Sequence, residues 1–208
     1  TLRHTLFPYT TLFRSLADQS RLQPEIILGI LFSFTMALGL IFLNFVPDSA
    51  MSSTAMSILW GSILGINTID VIRLSILTIV IILIIVLFYK EFHALMFNRK
   101  MAEASGIPTK PFYYLILFLT GISVAFSIKL VGGLLIFALI VNPTSTAYQF
   151  FYDFKKILIF SPLFGILFAF SGLLLSFFLD FPIGSSIAVI STTGFGLSVL
   201  VSPKRKKG

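Results

Sequence analysis

The sequence contains no cysteine, and only 11% of its 208 residues are charged. The absence of cysteine excludes disulfide bonds, thiolate metal sites and thiol redox switches. About a quarter of the residues in a soluble domain are charged, so the low charged fraction argues against a soluble domain. Two histidines, His4 and His93, cannot form a zinc site without several carboxylates beside them. We therefore predict no metal ligand set in this chain.

The chain also lacks the phosphate-binding loop pattern G-x-x-x-x-G-K-[ST]. We predict no catalytic residue, no enzymatic activity and no cofactor bound by this chain, so any use of ATP would require hydrolysis on another chain. The net charge of +7 is not a nucleic-acid signal, because the lysines and arginines lie in the short connections between apolar runs. No nucleic-acid partner is expected.

Hydrophobic residues make up 57% of the chain. They form runs long enough to cross a hydrocarbon core about 30 Å thick, which predicts an all-α, polytopic membrane protein in a lipid bilayer. A shorter apolar segment, 55–66, reads as an interfacial or re-entrant half-helix that does not cross. The predicted membrane spans, about six in number, are 26–46, 71–89, 112–128, 130–150, 157–179 and 183–202.

One polar stretch, 97–108, lies between two of these spans and reads FNRKMAEASGIP. Asn98 can cap a helix, Gly106 can adopt the left-handed stop, and Pro108 prevents continuation. The helix would be about 10 Å long and too short to persist unless something packs on it. It is either a docking helix for a soluble partner or an interfacial helix without one. The residues assigned to it are Asn98, Arg99, Lys100, Met101, Ala102, Glu103, Ala104, Ser105, Gly106 and Pro108.

Small residues recur at helical spacing in two of the predicted spans, a pattern that lets membrane helices approach closely. Gly29, Ser33 and Ala37 form one such series. The second series predicts a smooth packing face on span 157–179. Its members are Ser161, Gly165, Ala169, Gly172 and Ser176.

Span 130–150 carries polar residues at its centre, beginning at Asn142-Pro143. Proline leaves a backbone carbonyl without its helical partner, and a polar mid-membrane segment can line a transport path. Alternatively, the hydroxyls satisfy the freed carbonyls while Asn142 bonds to a neighbouring helix. The predicted path residues are Asn142, Pro143, Thr144 and Thr146.

The two ends of the chain differ from its middle. Residues 1–15 repeat Thr-Leu-Phe and resemble a translated sequencing adapter, so we predict that they are non-native. Residues 16–203 form the partial membrane domain, and 204–208 form a basic tail. Thirteen of the fifteen Lys and Arg residues fall on one side of the predicted topology, with Arg73 and Lys129 on the other. That asymmetry predicts a cytoplasmic polar helix and C-terminus.

Between residues 25 and 201 the chain resembles the zinc/manganese/iron ABC-importer permease family. Most of the matching pieces are apolar, and they follow one another in the family's order. They are Glu25 with Gly29-Ile30-Leu31-Phe32-Ser33; Gly61-Ser62-Ile63-Leu64-Gly65-Ile66; Ala102 with Ala104-Ser105-Gly106-Ile107-Pro108; Val131-Gly132 with Leu134-Leu135, Ala138-Leu139, Pro143 and Thr146-Ala147; and Leu179-Asp180-Phe181-Pro182 with Gly184.

The resemblance implies a permease subunit of an ATP-driven metal importer in the bacterial cytoplasmic membrane. Two permeases would pair, and the polar helix of each would be the coupling helix that inserts into a cytoplasmic ABC ATPase carrying ATP and Mg. An extracytoplasmic metal-binding protein would deliver the ion. Ala102, Ala104 and Gly106 would keep the coupling helix slim enough to seat in its cleft.

The sequence departs from the family at three places. Asn98 and Lys100 stand where the family usually has acidic residues, and Asn142 stands where relatives are usually apolar. The family's first helices, one with an Asp and a His that resemble an ion gate, have no match in this chain. Three alternatives stay open: a vitamin B12 or siderophore ABC permease, a fragment of an ion-gradient-driven secondary transporter, and a membrane scaffold that transports nothing.

Overall fold

A computed structural model of the chain describes residues 22–43, 45 and 67–202. Within these ranges every regular element is a helix, which confirms the predicted all-α class. The segment 1–15, the predicted half-helix 55–66 and the tail 204–208 lie outside the described residues. The helices are α1 Pro24–Leu43, α2 Thr68–Leu87, α3 Tyr89–Phe97, α4 Arg99–Ala104, α5 Thr109–Val131, α6 Gly133–Phe150, α7 Phe154–Leu179 and α8 Ile183–Val201.

Five of the described helices, namely α1, α2, α5, α7 and α8, are long and apolar enough to cross a membrane. The chain is therefore a multi-pass membrane protein, as predicted. The sixth predicted span corresponds to α6, which has 18 residues but does not belong to this set. The physical reason is its polar second half, which includes Asn142 and Gln149, two residues that are fully buried among their neighbours.

The chain divides into two compact units. The first, called here the four-helix unit, contains the described helices α1, α6, α7 and α8. The second, called the hairpin unit, contains α2 to α5, in which two long helices are joined through two short ones.

Small residues allow the helices of the four-helix unit to pack closely. Ala37, Ala138 and Ala188 form one buried cluster that joins α1, α6 and α8. A Cβ atom placed on Gly29 would lie 2.5 Å from the ring of Phe137, so α1 and α6 approach closely at this glycine. The predicted Gly29-Ser33-Ala37 packing series is confirmed, since Ser33 and Ala37 are also buried.

The predicted small-residue face of α7 also contacts its neighbours. The hydroxyl groups of Ser161 and Thr144 are 2.8 Å apart, and Gly172 packs against the backbone of α8 at Ile187. Ser176 Oγ donates a 2.5 Å hydrogen bond to the carbonyl oxygen of Phe181 at the turn into α8. Small side chains thus hold α6, α7 and α8 together.

The hairpin unit has a different character, because its long helices are mostly exposed. No residue of α2 is buried. The rings of Phe88, Phe92 and Phe112 form a cluster, with Phe112 5.4 Å from Phe88 and 5.9 Å from Phe92 between centroids. This cluster fixes α3 against the start of α5, the helix that follows the polar stretch.

The end of α5 lies beyond the predicted boundary. The sequence predicts that the span ends at residue 128 and that the chain turns at Lys129, but the helix continues to Val131. It ends at Gly132, whose φ of 89° is accessible to glycine and strained for other residues. Lysine is a competent helix former, whereas this backbone angle stops the helix.

Candidate functional site

The polar helix α4 begins at the predicted cap. Asn98 has an extended backbone, and its side-chain Oδ1 accepts hydrogen bonds from the backbone N–H groups of Lys100 at 3.0 Å and Met101 at 3.3 Å. These are two of the N–H groups that a helix start leaves without a partner. The cap separates α4 from α3, which ends one residue earlier at Phe97.

The other end of α4 is closed by a left-handed glycine. Gly106 has φ 81°, its N–H donates to the carbonyl oxygen of Glu103 at 3.0 Å, and the N–H of Ile107 donates to that of Ala102 at 3.1 Å. This pair of hydrogen bonds is the Schellman arrangement of helix ends. Pro108 then precedes α5 directly, so a six-residue helix is defined at both ends.

Four side chains connect α4 and α5. Arg99 Nε lies 3.6 Å from Glu103 Oε1, and the Arg99 guanidinium carbon is 5.4 Å from the ring centre of Tyr113. The same Glu103 oxygen accepts a hydrogen bond from the hydroxyl of Thr109, a residue that is almost completely buried. We call Arg99, Glu103, Thr109 and Tyr113 the latch. Because a free helix of this length is unstable in water, the latch and the caps give α4 its fixed shape.

The latch leaves one side of α4 uncovered. Ala102 is 2% exposed and points into the hairpin unit, whereas Lys100, Met101 and Ala104 are exposed. Gly106 is also exposed. The family resemblance implies that Ala102 keeps the helix slim for a partner's cleft, but Ala102 packs inside the hairpin unit.

The second predicted set lies on α6 in the four-helix unit. Asn142 is fully buried, and its Nδ2 donates to Ser191 Oγ at 2.7 Å and to Thr192 Oγ1 at 3.0 Å, both on α8. The Asn142 Oδ1 atom is also buried and accepts no hydrogen bond from the described residues. A buried amide oxygen without a donor costs about 1–3 kcal/mol, so this atom is the least satisfied acceptor near the centre of α6.

The hydroxyls around Pro143 satisfy nearby carbonyl groups. Thr146 Oγ1 donates to the carbonyl oxygen of Asn142 at 2.8 Å, and Thr144 Oγ1 donates to that of Ile140 at 2.9 Å. Helix α6 continues through Pro143, which is buried, while Thr144 is exposed. The interhelical bond of Asn142 matches one of the two interpretations of its sequence, and its role in a transport path stays a prediction.

Sequence reasoning did not identify the partners of either set. Thr109 and Tyr113 follow the polar stretch in the sequence, but nothing local indicates that they contact Glu103 and Arg99. Ser191 and Thr192 are separated from Asn142 by 49 and 50 residues. The serine and threonine residues of span 183–202 were the one signal in the sequence that could have indicated them.

The sequence also matches a known protein family. The sequence model of the ABC 3 transport family matches residues 5–202. The chain belongs to this family. The predicted resemblance to metal-importer permeases is thereby confirmed. Because the match begins at residue 5, it includes most of the segment 1–15, whose non-native origin stays a prediction.

The relatives of this chain include membrane proteins of metal transport systems. The chain is 31% identical over 189 residues to the manganese transport system membrane protein MntC of Listeria monocytogenes, covering 90% of this chain and 66% of that protein. It is 32% identical over 187 residues to the chelated iron transport system membrane protein YfeC of Yersinia pestis, covering 89% of this chain and 62% of that protein. The chain thus spans less than two thirds of these relatives' length.

A solved structure has a similar fold. The chain resembles a chain in the structure of PsaBC from Streptococcus pneumoniae in complex with Fab, with a TM-score of 0.70 and 28% sequence identity. The similarity covers 89% of this chain and 66% of that one.

Proposed function

We propose that this chain is the membrane-spanning permease part of an ATP-driven importer for a divalent transition metal ion. Membership of the ABC 3 transport family supports this proposal, and manganese and iron are the ions in the names of its relatives. ATP and Mg bind to a separate cytoplasmic ATPase, and an extracytoplasmic metal-binding protein delivers the ion. Two permease copies pair around the path.

The observation that carries the proposal is the construction of α4. A six-residue helix capped by Asn98, closed by Gly106 and attached by the latch has defined ends and contacts at a length at which helices are otherwise unstable. Its uncovered side faces away from its own unit. Such a helix can seat in the ATPase as the coupling helix and transmit movement of the ATPase to α5.

The distribution of positive charge supports a cytoplasmic position for α4. Lys90, Arg99 and Lys100 lie in the connection between α2 and α5, and Lys110 lies in the first turn of α5. Short cytoplasmic loops are enriched in lysine and arginine. We place this connection and the C-terminal tail in the cytoplasm of a bacterial cell, with α6 crossing the membrane as the sixth span.

Asn142 is the residue of the four-helix unit that we assign to the ion path, together with Pro143, Thr144 and Thr146. Its buried Oδ1 has no hydrogen-bond donor among the described residues. Carbonyl and carboxylate oxygens and water are the ligands that suit manganese, and a neutral amide binds weakly enough to release the ion. During transport Oδ1 would accept a hydrogen bond from the ion's water or contact the ion directly.

The complete permease, reconstituted in vesicles with its ATPase and binding protein, tests the proposal through ATP-dependent manganese uptake. Gly106→Trp should abolish uptake while leaving membrane insertion unchanged, because its bulk prevents seating. Gly106→Asn is the matched control, since asparagine tolerates the left-handed backbone without adding that bulk. Normal uptake by the tryptophan variant would refute the docking role of α4.

A further inference from the structure

The uncovered side of α4 consists of a small and defined set of residues. Arg99 and Glu103 are engaged in the latch, and Ala102 is buried. The remaining helical positions are Lys100, Met101 and Ala104, all exposed. Residues three or four apart lie on the same side of a helix, so Ala104 neighbours both of the others. We call these three residues the outer face.

The outer face carries positive charge without compensation. Glu103 neutralises Arg99 across the latch, which leaves Lys100 as the free charge of α4. Within the described part of the chain, no carboxylate lies within ion-pairing distance of Lys100. An uncompensated lysine on a rigid surface favours a partner of opposite charge.

The outer face also exposes an apolar side chain. Met101 is 63% exposed, in a six-residue helix that does not itself span a membrane. Methionine is flexible and polarisable, and it is common at binding surfaces that fill irregular pockets. Ala104 beside it adds little bulk, so a partner can approach the helix backbone closely.

We propose that the outer face binds a socket on the cytoplasmic ATPase that presents an acidic side chain to Lys100 and an apolar pocket to Met101. This inference rests on the proposed function and specifies the chemistry of its docking partner. A protein socket fits better than a lipid surface, because caps at both ends and the latch fix the shape of α4. A lipid headgroup layer needs no such fixed shape.

The test measures how much ATPase is retained by the purified complete permease in detergent, at low and high salt. Lys100→Glu and Met101→Asp should each weaken retention of the ATPase by roughly tenfold or more. The first places a negative charge against the acidic side chain, and the second places a charge in the apolar pocket. Lys100→Arg and Met101→Leu keep the charge and the apolar volume and should retain the ATPase. Lys90→Glu makes the same charge change on α3 and is the matched control.

Salt provides a second readout. Rising salt should weaken retention by the unaltered permease, and this dependence should be much smaller in Lys100→Met, because screening acts on the charge pair. Full retention by Lys100→Glu would overturn the inference. So would an equal loss in Lys90→Glu, which would indicate diffuse attraction.

A third result would also overturn the inference: variants that lose binding to anionic vesicles while keeping the ATPase, since the outer face would then contact lipid. The proposed function is separable from all these results. If Gly106→Trp still abolishes uptake while the outer-face variants behave normally, the coupling role stands and only the socket chemistry is wrong.

Discussion

At the scale of single residues, the most unusual position is Asn142. Its amide joins α6 to α8 through two hydroxyls, yet its oxygen is buried without a donor among the described residues. The penalty of leaving that oxygen unsatisfied offsets part of what the two hydrogen bonds contribute to stability. This imbalance is why we assign Asn142 to transport.

Replacing Asn142 by leucine separates the two roles. Interhelical hydrogen bonds in membranes contribute little on average, and the leucine removes the unsatisfied oxygen as well. We expect the free energy of unfolding in detergent to change by no more than about 1 kcal/mol. Manganese uptake by the complete transporter should fall clearly. Unchanged uptake kinetics would return Asn142 to a structural role.

Gly106 is the second residue whose chemistry is specific. Gly106→Ala should loosen the end of α4, because a φ of 81° costs a non-glycine residue about 1–2 kcal/mol. Limited trypsin digestion should then cut faster after Arg99 and Lys100. Gly39→Ala in α1, where a new Cβ meets nothing within 4 Å, should leave cleavage at these sites unchanged. Equal digestion of both variants would contradict the role of the glycine stop.

At the scale of elements, close helix contact in the four-helix unit depends on particular glycines. A Cβ atom on Gly172 would lie 2.4 Å from the Cα atom of Ile187 on α8. Backbone atoms cannot move aside as a flexible side chain can, so the two helices would have to separate. A Cβ atom on Gly196 of α8, in contrast, would have no neighbouring atom within 4 Å.

These two glycines give a matched pair of substitutions. Gly172→Ala should lower the free energy of unfolding by about 1–3 kcal/mol through overpacking. Gly196→Ala should leave it unchanged or raise it by up to about 1 kcal/mol, because alanine is the better helix former. Thermal unfolding of the purified protein in detergent measures both. A more stable Gly172→Ala would show that α7 and α8 do not contact there.

Some features of these helices could be predicted from the sequence, and others could not. The cap at Asn98 and the stop at Gly106 follow from local chemistry and were predictable, as were the small-residue packing series. The side of α4 that faces inward was not predictable, since it depends on where α5 places Thr109 and Tyr113. The hydroxyl partners of Asn142 were not predictable either, because packing over the whole unit decides which helices pair.

At the scale of the whole molecule, the central claim is that the connection between α2 and α5 faces the cytoplasm. Helix α2 has 20 residues, so its two ends are about 30 Å apart, one on each side of the hydrocarbon core. Asn67 precedes it on one side, and α3 and α4 follow on the other. If α4 lay outside the cell, it could not contact an ATPase.

Single-cysteine labelling tests this claim most directly, because the chain has no cysteine of its own. Met101→Cys and Asn67→Cys place one thiol at exposed positions beyond opposite ends of α2. In intact cells a membrane-impermeant maleimide should label the Asn67→Cys variant and not the Met101→Cys variant, which should react only after permeabilisation. Labelling of Met101→Cys from outside intact cells would contradict the account.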